Sequence, residues 1–303
     1  MTDKTYDLII VGAGPAGLTS AIYAANSGIN FLVISGFTGS AAATAPKVAN
    51  YPGFPEPVSG SELMANFENQ AKNLGANIES DSVSEIKKEA DGTFTLTGAV
   101  NTYSAKAVIY AAGAQAKRLR LAEEPKYFGK GVSVCATCDG HFFKGKPVAV
   151  AAGDRTAVSE AVYLSNICEK VYYITKDAAL PKELNGINNI VPKLNSRILS
   201  LKGEKRLEAL TVEDLSSKES EELTVSALFT AVGHDPETAP LAGLPVLDDK
   251  GAVAVEKDAS TAVPGLFAAG DVTKGAIRQI VFAANQGMQA SLSARKYLRT
   301  LLK

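Results

Sequence analysis

A chain of 303 residues suffices for two domains of ordinary size, and 46% hydrophobic against 21% charged residues describes globular cores rather than a disordered chain. A net charge of −1 gives no footprint for nucleic acid and no polybasic membrane anchor. The three cysteines, two of them in one CxxC, point to a reducing compartment, and we expect a cytoplasmic protein.

The first apolar run, Leu8 to Val11, is too short for the core of a signal peptide and leads straight into a glycine turn. No stretch approaches the roughly twenty apolar residues that a membrane span requires. Asp7 to Val11 reads as a buried parallel strand, followed by Gly12-Ala13-Gly14-Pro15-Ala16-Gly17, an apolar helix to about Ser27 and a second strand from Phe31 to Ser35. This is a βαβ start with a dinucleotide fingerprint in its proper context. Gly12 permits the tight turn, Gly14 lets backbone approach a pyrophosphate, and Gly17 lets helix and strand pack closely. The helix start offers free N–H groups to the phosphates. No acid closes the second strand, so the fingerprint alone does not name the ligand.

Further on, a helix is expected from about Ser61 to Leu74, and a strand from Ala107 to Ala111 that ends at Ala112-Gly113. A strand from Pro147 to Ala151, a helix from Thr156 to Ser165 and a strand from Lys170 to Ile174 make a second βαβ start. Arg197 to Glu213 reads as a hairpin turning at Gly203-Glu204, and Thr224 to Gly233 as a strand. Leu266 to Asp271 reads as a strand and turn before a C-terminal helix. The fold class is therefore α/β: two Rossmann-like, three-layer ββα dinucleotide-binding domains, the second inserted in the first. Residues 1–116 and 244–303 form the first, and 117–243 the second, carrying the CxxC.

Cys135-Ala-Thr-Cys138-Asp139-Gly140 lies between the two βαβ starts. Its spacing lets both sulfurs meet in one turn, so a disulfide can open and close without moving the fold. Half of a zinc site is an alternative, but only Cys168, His141 and His234 remain as ligands. Two buried core cysteines are another. Asp139 reads either as a proton donor and acceptor for the thiols or as the acid of a common Asp-Gly turn. Cys168 reads as a core cysteine, His141 as a neighbour of the redox turn with a titratable ring, and His234 as structural.

Taken together these motifs resemble the low-molecular-weight thioredoxin reductase family over nearly the whole chain. The loop Gly12, Ala13, Gly14, Pro15, Ala16, Gly17 is similar to its FAD pyrophosphate loop. Asn50-Tyr51-Pro52-Gly53 is similar to a segment beside the flavin, and Ala111-Ala112-Gly113 to a second flavin-domain signature. Val134 to Gly140 is similar to its redox centre. Gly265 to Val272, with Gly270 and Asp271, is similar to the closing FAD motif, and Arg278-Gln279 to the pair beside the isoalloxazine. The resemblance implies a homodimer with one FAD per chain and an Asp271 that holds the ribityl chain. It implies a Cys138 that faces the flavin, a Cys135 that attacks the partner disulfide, an Asp139 that manages the proton, and an inserted domain able to rotate. A thioredoxin-like protein would be the substrate.

The chain departs from the family in its second βαβ unit. Where a GxGxxA-type turn is expected it reads Ala152-Gly153-Asp154-Arg155-Thr156-Ala157, so the position that should press bare backbone against a pyrophosphate carries a carboxylate. Two like charges about 4 Å apart repel by roughly 4 kcal/mol at an effective dielectric near 20, on the order of a thousandfold in affinity; Arg155 offsets part of this. After the next strand, Thr175-Lys176-Asp177 stands where NADPH users carry a His-Arg-Arg cluster for the 2′-phosphate. A plain solvated loop accounts for Lys176 and Asp177. Both losses point to the NADPH-independent branch of the family, with ferredoxin as the expected electron donor. NADH or a deazaflavin as donor, or a flavoprotein that binds a ligand or partner without catalysis, are the alternatives. Gly39 to Thr44 also lacks a glutamine that relatives place at the flavin edge. Arg295, Lys296, Arg299 and Lys303 read either as a solvated helix face or as a docking patch for an acidic ferredoxin.

Overall fold

The computed structural model describes residues 4–37 and 39–302. It divides the chain into two units, Met1–Gln115 with Asp235–Lys303, and Ala116–His234.

The first unit begins with β1 (Lys4–Val11), α1 (Pro15–Ala25) and β2 (Phe31–Ser35). It continues with α2 (Gly60–Asn73), β3 (Asn77–Ser80), β4 (Val83–Lys88), β5 (Phe94–Gly98) and β6 (Thr102–Tyr110). β3, β2, β1 and β6 pair in that order, all parallel, while β6, β5 and β4 form an antiparallel meander. Side chains of β1 alternate between two cores: Leu8 and Ile10 meet the helices, and Ile9 and Val11 meet the meander side. Both faces are covered, which is why the strand reads as an unbroken apolar run.

β6 serves two partners. Thr102 to Ala105 pairs with β5, and Val108 to Tyr110 pairs with the late strand that returns from the end of the chain. Only the second half is continuously buried, and the sequence signal for a strand covers that half alone.

After β7 (Ala114–Ala116) come α3 (Glu124–Tyr127), β8 (Val132–Ser133), α4 (Ala136–Asp139) and β9 (Pro147–Ala152). They are followed by α5 (Thr156–Ser165), β10 (Lys170–Thr175) and β11 (Ile190–Lys193). β12 (Ser196–Lys202), β13 (Ala209–Asp214) and β14 (Ser220–Thr224) form an antiparallel three-stranded sheet. β15 (Ala227–Ala231) completes a parallel sheet of order β11-β10-β9-β15-β8. α5 covers one face of that sheet and the three-stranded sheet the other, giving the ββα layering of a Rossmann-like unit. The expected hairpin is thus part of a larger sheet, with residues 203–208 as its connection. The expected strand from Thr224 is two strands: Thr224 ends β14, and a new strand starts at Ala227.

β16 (His234–Pro236) pairs with β7. The second unit ends here rather than at residue 243. Residues 235–243 pack in the first unit: Leu241 is fully buried in the core with Ile9, Ile86 and Tyr110, and the Tyr110 hydroxyl donates to the Glu237 carbonyl at 2.6 Å. β17 (Leu266–Ala268) then joins β6, and α6 (Ile280–Thr300) closes the unit. No helix among the described residues is long and apolar enough to cross a membrane.

Candidate functional site

Two separate sites emerge, one in each unit. In the first, β1 runs into the turn at Gly12, whose φ of +107° suits only glycine, and a Cβ there would strike the Ala111 carbonyl oxygen. A Cβ on Gly17 would strike the carbonyl oxygen of Gly12. Gly14 is the N-cap of α1 in an extended conformation, with Pro15 at the first helical position. No side chain among the described residues caps this helix, and its first turn carries no acid. Its free N–H groups and positive dipole end are left for an external anion. We expect Gly17→Ala to lose bound flavin and on the order of 3 kcal/mol of stability; a yellow variant with unchanged thermal stability would contradict this packing.

Of the other predicted residues of this unit, Gly270 packs against the same helix start. Gly270, at φ +81°, would place a Cβ 3.0 Å from the Cβ of Ala16. Its N–H donates to Gln286 Oε1 at 2.8 Å, and the Thr273 hydroxyl donates to its carbonyl at 2.8 Å. Asp271 Oδ1 is buried with no hydrogen-bond partner among the described residues. Burial pushes this carboxyl up, against the pull of the Arg278 guanidinium. Arg278 holds φ +57°, rare for a non-glycine residue, and its buried Nε also has no partner among the described residues. Asn50 Nδ2 donates to Gln279 Oε1 at 3.0 Å, joining two predicted residues 229 positions apart. Gly113, at φ +78°, follows Ala112 beyond β6. Ser40, in the segment without the expected glutamine, has its Cβ 3.6 Å from where a Gly14 Cβ would stand and caps the turn Ala41–Thr44 through the Ala43 N–H.

These features fit FAD. An uncapped helix start behind bare glycine backbone suits a pyrophosphate. Two buried polar atoms without protein partners, one acid and one guanidinium, suit a ligand with hydroxyl and carbonyl groups. Sequence reasoning missed Gln286, which sits on α6 and orients Gly270, and Gly287, where a Cβ would strike the Ala16 carbonyl. Ser20 ties the two helices by donating to the Gly287 carbonyl at 2.9 Å.

In the second unit Cys135 and Cys138 form a disulfide with their Cα atoms 5.3 Å apart. Cys135 is the N-cap of α4, and its Sγ accepts the backbone N–H of Cys138 at 3.2 Å. Ser133 organises the turn: its hydroxyl accepts the Cys135 N–H at 3.1 Å and donates to Asp139 Oδ2 at 2.6 Å. Burial pushes the Asp139 carboxyl up, while Ser133 and His141 pull it down. An acid raised by burial one residue beyond Cys138 is a candidate to exchange protons with the sulfur pair. His141 is exposed and stacks on Phe142, with ring centroids 3.8 Å apart. Cys168 lies in the core, where burial pushes its thiol up to about 11. Among the described residues no group of three or more His, Cys, Asp or Glu is placed to hold a metal.

The loop after β9 carries its own anion. Asp154 Oδ1 accepts the Thr156 N–H at 2.8 Å and the Thr156 hydroxyl at 2.5 Å, seating a carboxylate on the N-terminal turn of α5. Asp177 accepts from the Thr175 hydroxyl at 3.3 Å at the end of β10, and Lys176 is exposed. Tyr173 has its hydroxyl pushed up by burial and then by Asp177, Asp154 and Glu183, so three acids act on this one hydroxyl. On α6, Lys296 and Arg299 are exposed and Arg295 is half-buried, its Nη1 3.5 Å from Ser27 Oγ; Lys303 lies outside the described residues.

With this geometry in view, a family model of pyridine nucleotide-disulphide oxidoreductases matches residues 6–287. A thioredoxin reductase of Streptomyces clavuligerus is 38% identical over 304 residues, covering 97% of this chain and 94% of that protein. The solved thioredoxin reductase of Giardia duodenalis superposes with a TM-score of 0.93 at 32% identity, covering 98% of this chain and 100% of that one. A ferredoxin-flavin thioredoxin reductase of Clostridium acetobutylicum is similar at 31% identity with a TM-score of 0.54, covering 98% of this chain and 99% of that one.

Proposed function

The chain belongs to the pyridine nucleotide-disulphide oxidoreductase family, and on that premise we propose that it reduces thioredoxin or a similar protein with electrons from ferredoxin rather than NADPH. FAD is the cofactor of this family of oxidoreductases. When bound, it supplies two electrons at a time. Gly12, Gly14 and Gly17, with Pro15 and Ala16, hold its pyrophosphate, and Asp271 beside Gly270 holds its polyol chain. Asn50, Ala112, Gly113, Arg278 and Gln279 complete the cradle.

Two electrons and two protons open the Cys135–Cys138 disulfide to a pair of thiols. Cys135 is the attacking sulfur, because the Cys138 N–H it accepts stabilises a thiolate there. Its thiolate displaces one sulfur of the partner disulfide and forms a mixed disulfide. Cys138 then attacks Cys135, the intramolecular disulfide returns, and the partner leaves as a dithiol. Asp139 exchanges the proton at the sulfurs. We place the enzyme in the cytoplasm as a homodimer with one FAD per chain.

One observation carries the choice of donor: the Asp154 carboxylate sits on the α5 turn that would otherwise receive a dinucleotide phosphate. With thioredoxin as acceptor, reduced ferredoxin is expected to support turnover at least about a hundredfold faster than NADPH, in keeping with the Coulombic cost at that turn. Equal turnover with NADPH or NADH would overturn the donor assignment. Turnover with a reduced deazaflavin alone would replace ferredoxin. Flavin binding without thiol turnover from any donor would favour a non-catalytic flavoprotein.

A further inference from the structure

α4 is a single turn of four residues, too short to hold its own shape. Its geometry is set by the strand before it. Ser133 ends β8, which pairs with β15: Ser133 stands in register with Phe229, and its carbonyl accepts the Thr230 hydroxyl at 3.4 Å. Val132, Ser133 and Thr230 are all buried. From this fixed place the Ser133 hydroxyl touches both ends of the turn. It accepts the Cys135 N–H at 3.1 Å and donates to Asp139 Oδ2 at 2.6 Å, and the Cys135 carbonyl oxygen, 3.3 Å away, is a second acceptor for its proton. A serine hydroxyl has one proton to give and two lone pairs to fill. With Asp139 ionised, the carboxylate takes that proton, since charge-assisted bonds are the shorter and stronger ones. With Asp139 protonated on Oδ2, the carboxyl brings its own proton to the same contact. Ser133 then receives it on its second lone pair and turns its own proton to the Cys135 carbonyl. The Cys135 N–H keeps the first lone pair in both states. A side chain that only donates, or only accepts, would lose Asp139 in one of them.

We propose that Ser133 is a positioning residue of the redox centre: its hydroxyl holds Asp139 in both protonation states, as donor to the carboxylate and acceptor from the acid, and turns between the two each time Asp139 gains or gives up a proton. It rests on the reading of Asp139 as the acid that serves the sulfurs. The proton exchanged with Cys135 and Cys138 comes and goes at the Asp139 carboxyl, while the Ser133 proton stays on Oγ and only changes its acceptor. Asp139 therefore need not swing away when its charge changes, and the Cys135 peptide keeps its place. Burial pushes the Asp139 carboxyl up and the Ser133 bond pulls it down, so ionisation and hydroxyl orientation change together. The charged or titratable residues on the elements packed against the turn are His141 in Gly140–Phe143, which also pulls Asp139 down, and Glu160 and Tyr163 on α5, with Asp154 and Arg155 before that helix; β8 and β15 carry none.

The test mixes holoenzyme, reduced by dithionite and freed of the excess, with oxidised thioredoxin and follows one turnover. Ser133→Ala should transfer electrons about tenfold more slowly and Asp139→Asn about a hundredfold. The double variant should be no slower than Asp139→Asn alone, because Ser133 acts through Asp139. Ser133→Thr, which keeps the hydroxyl, should stay within about twofold of the wild type. An unchanged rate in Ser133→Ala overturns the proposal, and so does an equal loss with or without Asp139, which marks a merely structural serine. Should Ser133→Ala fail to fold, nitrogen-15 NMR of the cysteine-labelled, oxidised holoenzyme decides instead. The chain has three cysteines, and in this state Cys135 and Cys138 are held in their disulfide and do not titrate. The Cys135 amide signal should move with pH in a step that Asp139→Asn abolishes; a Cys135 signal with no such step overturns the proposal. Full transfer by Asp139→Asn removes Asp139 from the mechanism and the proposal with it, whereas a slow Asp139→Asn beside a normal Ser133→Ala sinks the proposal alone.

Discussion

The Cys138→Ser protein will remain yellow and will lose thioredoxin reduction by about a thousandfold or more, because the second sulfur is chemically required and not merely positioning. The residues proposed to cradle the flavin lie in the other unit of the chain and share no residue with the redox turn. Cys135 keeps its place as N-cap of α4, and residue 138 keeps the backbone N–H that stabilises its thiolate. The attack on the partner disulfide therefore still occurs, but nothing resolves the product. Mass spectrometry should find the variant linked one-to-one to thioredoxin through Cys135. Full turnover in this variant, or the absence of any trapped adduct, would remove Cys138 from the mechanism.

The second large effect concerns the loop after β9. Removing the side chain and charge with Ala152→Gly and Asp154→Gly together should raise the rate of flavin reduction by NADPH by up to about a thousandfold at limiting NADPH, the size of the like-charge penalty. The same change removes the acceptor of the Thr156 N–H and hydroxyl at the start of α5 and should lower stability by about 1 kcal/mol. Asp154→Asn separates these effects, since an amide oxygen can still accept both bonds while the charge is gone. It should capture much of the gain without the loss of stability. If neither variant responds to NADPH, the carboxylate on α5 is not what excludes the nucleotide. The missing arginine pair at Thr175-Lys176-Asp177 and the acids acting on Tyr173 would then carry that exclusion.

Much of this was legible in the sequence, for physical reasons that vary with the element. β1, β2, β9 and β10 are parallel strands covered on both faces, so each appears as a short apolar run followed by a glycine or polar turn. α5 was readable residue for residue because a turn precedes it and its small residues repeat at helical spacing. β6 was half legible, since its first part pairs in the exposed meander and only its second part enters the parallel core. The end of the second unit was misplaced because Asp235 to Gly243 has no periodic pattern. Its allegiance is set by one buried leucine and by Tyr110, 127 positions away from the carbonyl it binds.

The site divides in the same way. Backbone-driven positions such as Gly12, Gly17 and Gly270 announce themselves, because no other residue tolerates their conformation or crowding. Ser133 and Gln286 did not, since a serine before a CxxC and a glutamine within a helix are unremarkable until folding brings Asp139 and Gly270 to them. Arg278 was singled out only through the family resemblance, because its left-handed backbone has no sequence signature.

Electrons are expected to reach Cys135 and Cys138 without passing through a bound NADPH. Anaerobic stopped-flow mixing of the oxidised holoenzyme with NADPH, or with reduced ferredoxin, tests it directly by following the flavin band while counting new thiols. Ferredoxin should bleach the band and release both sulfurs, while NADPH at the same concentration leaves flavin and disulfide unchanged over the same interval. Rapid bleaching and thiol release by NADPH would overturn ferredoxin as the donor.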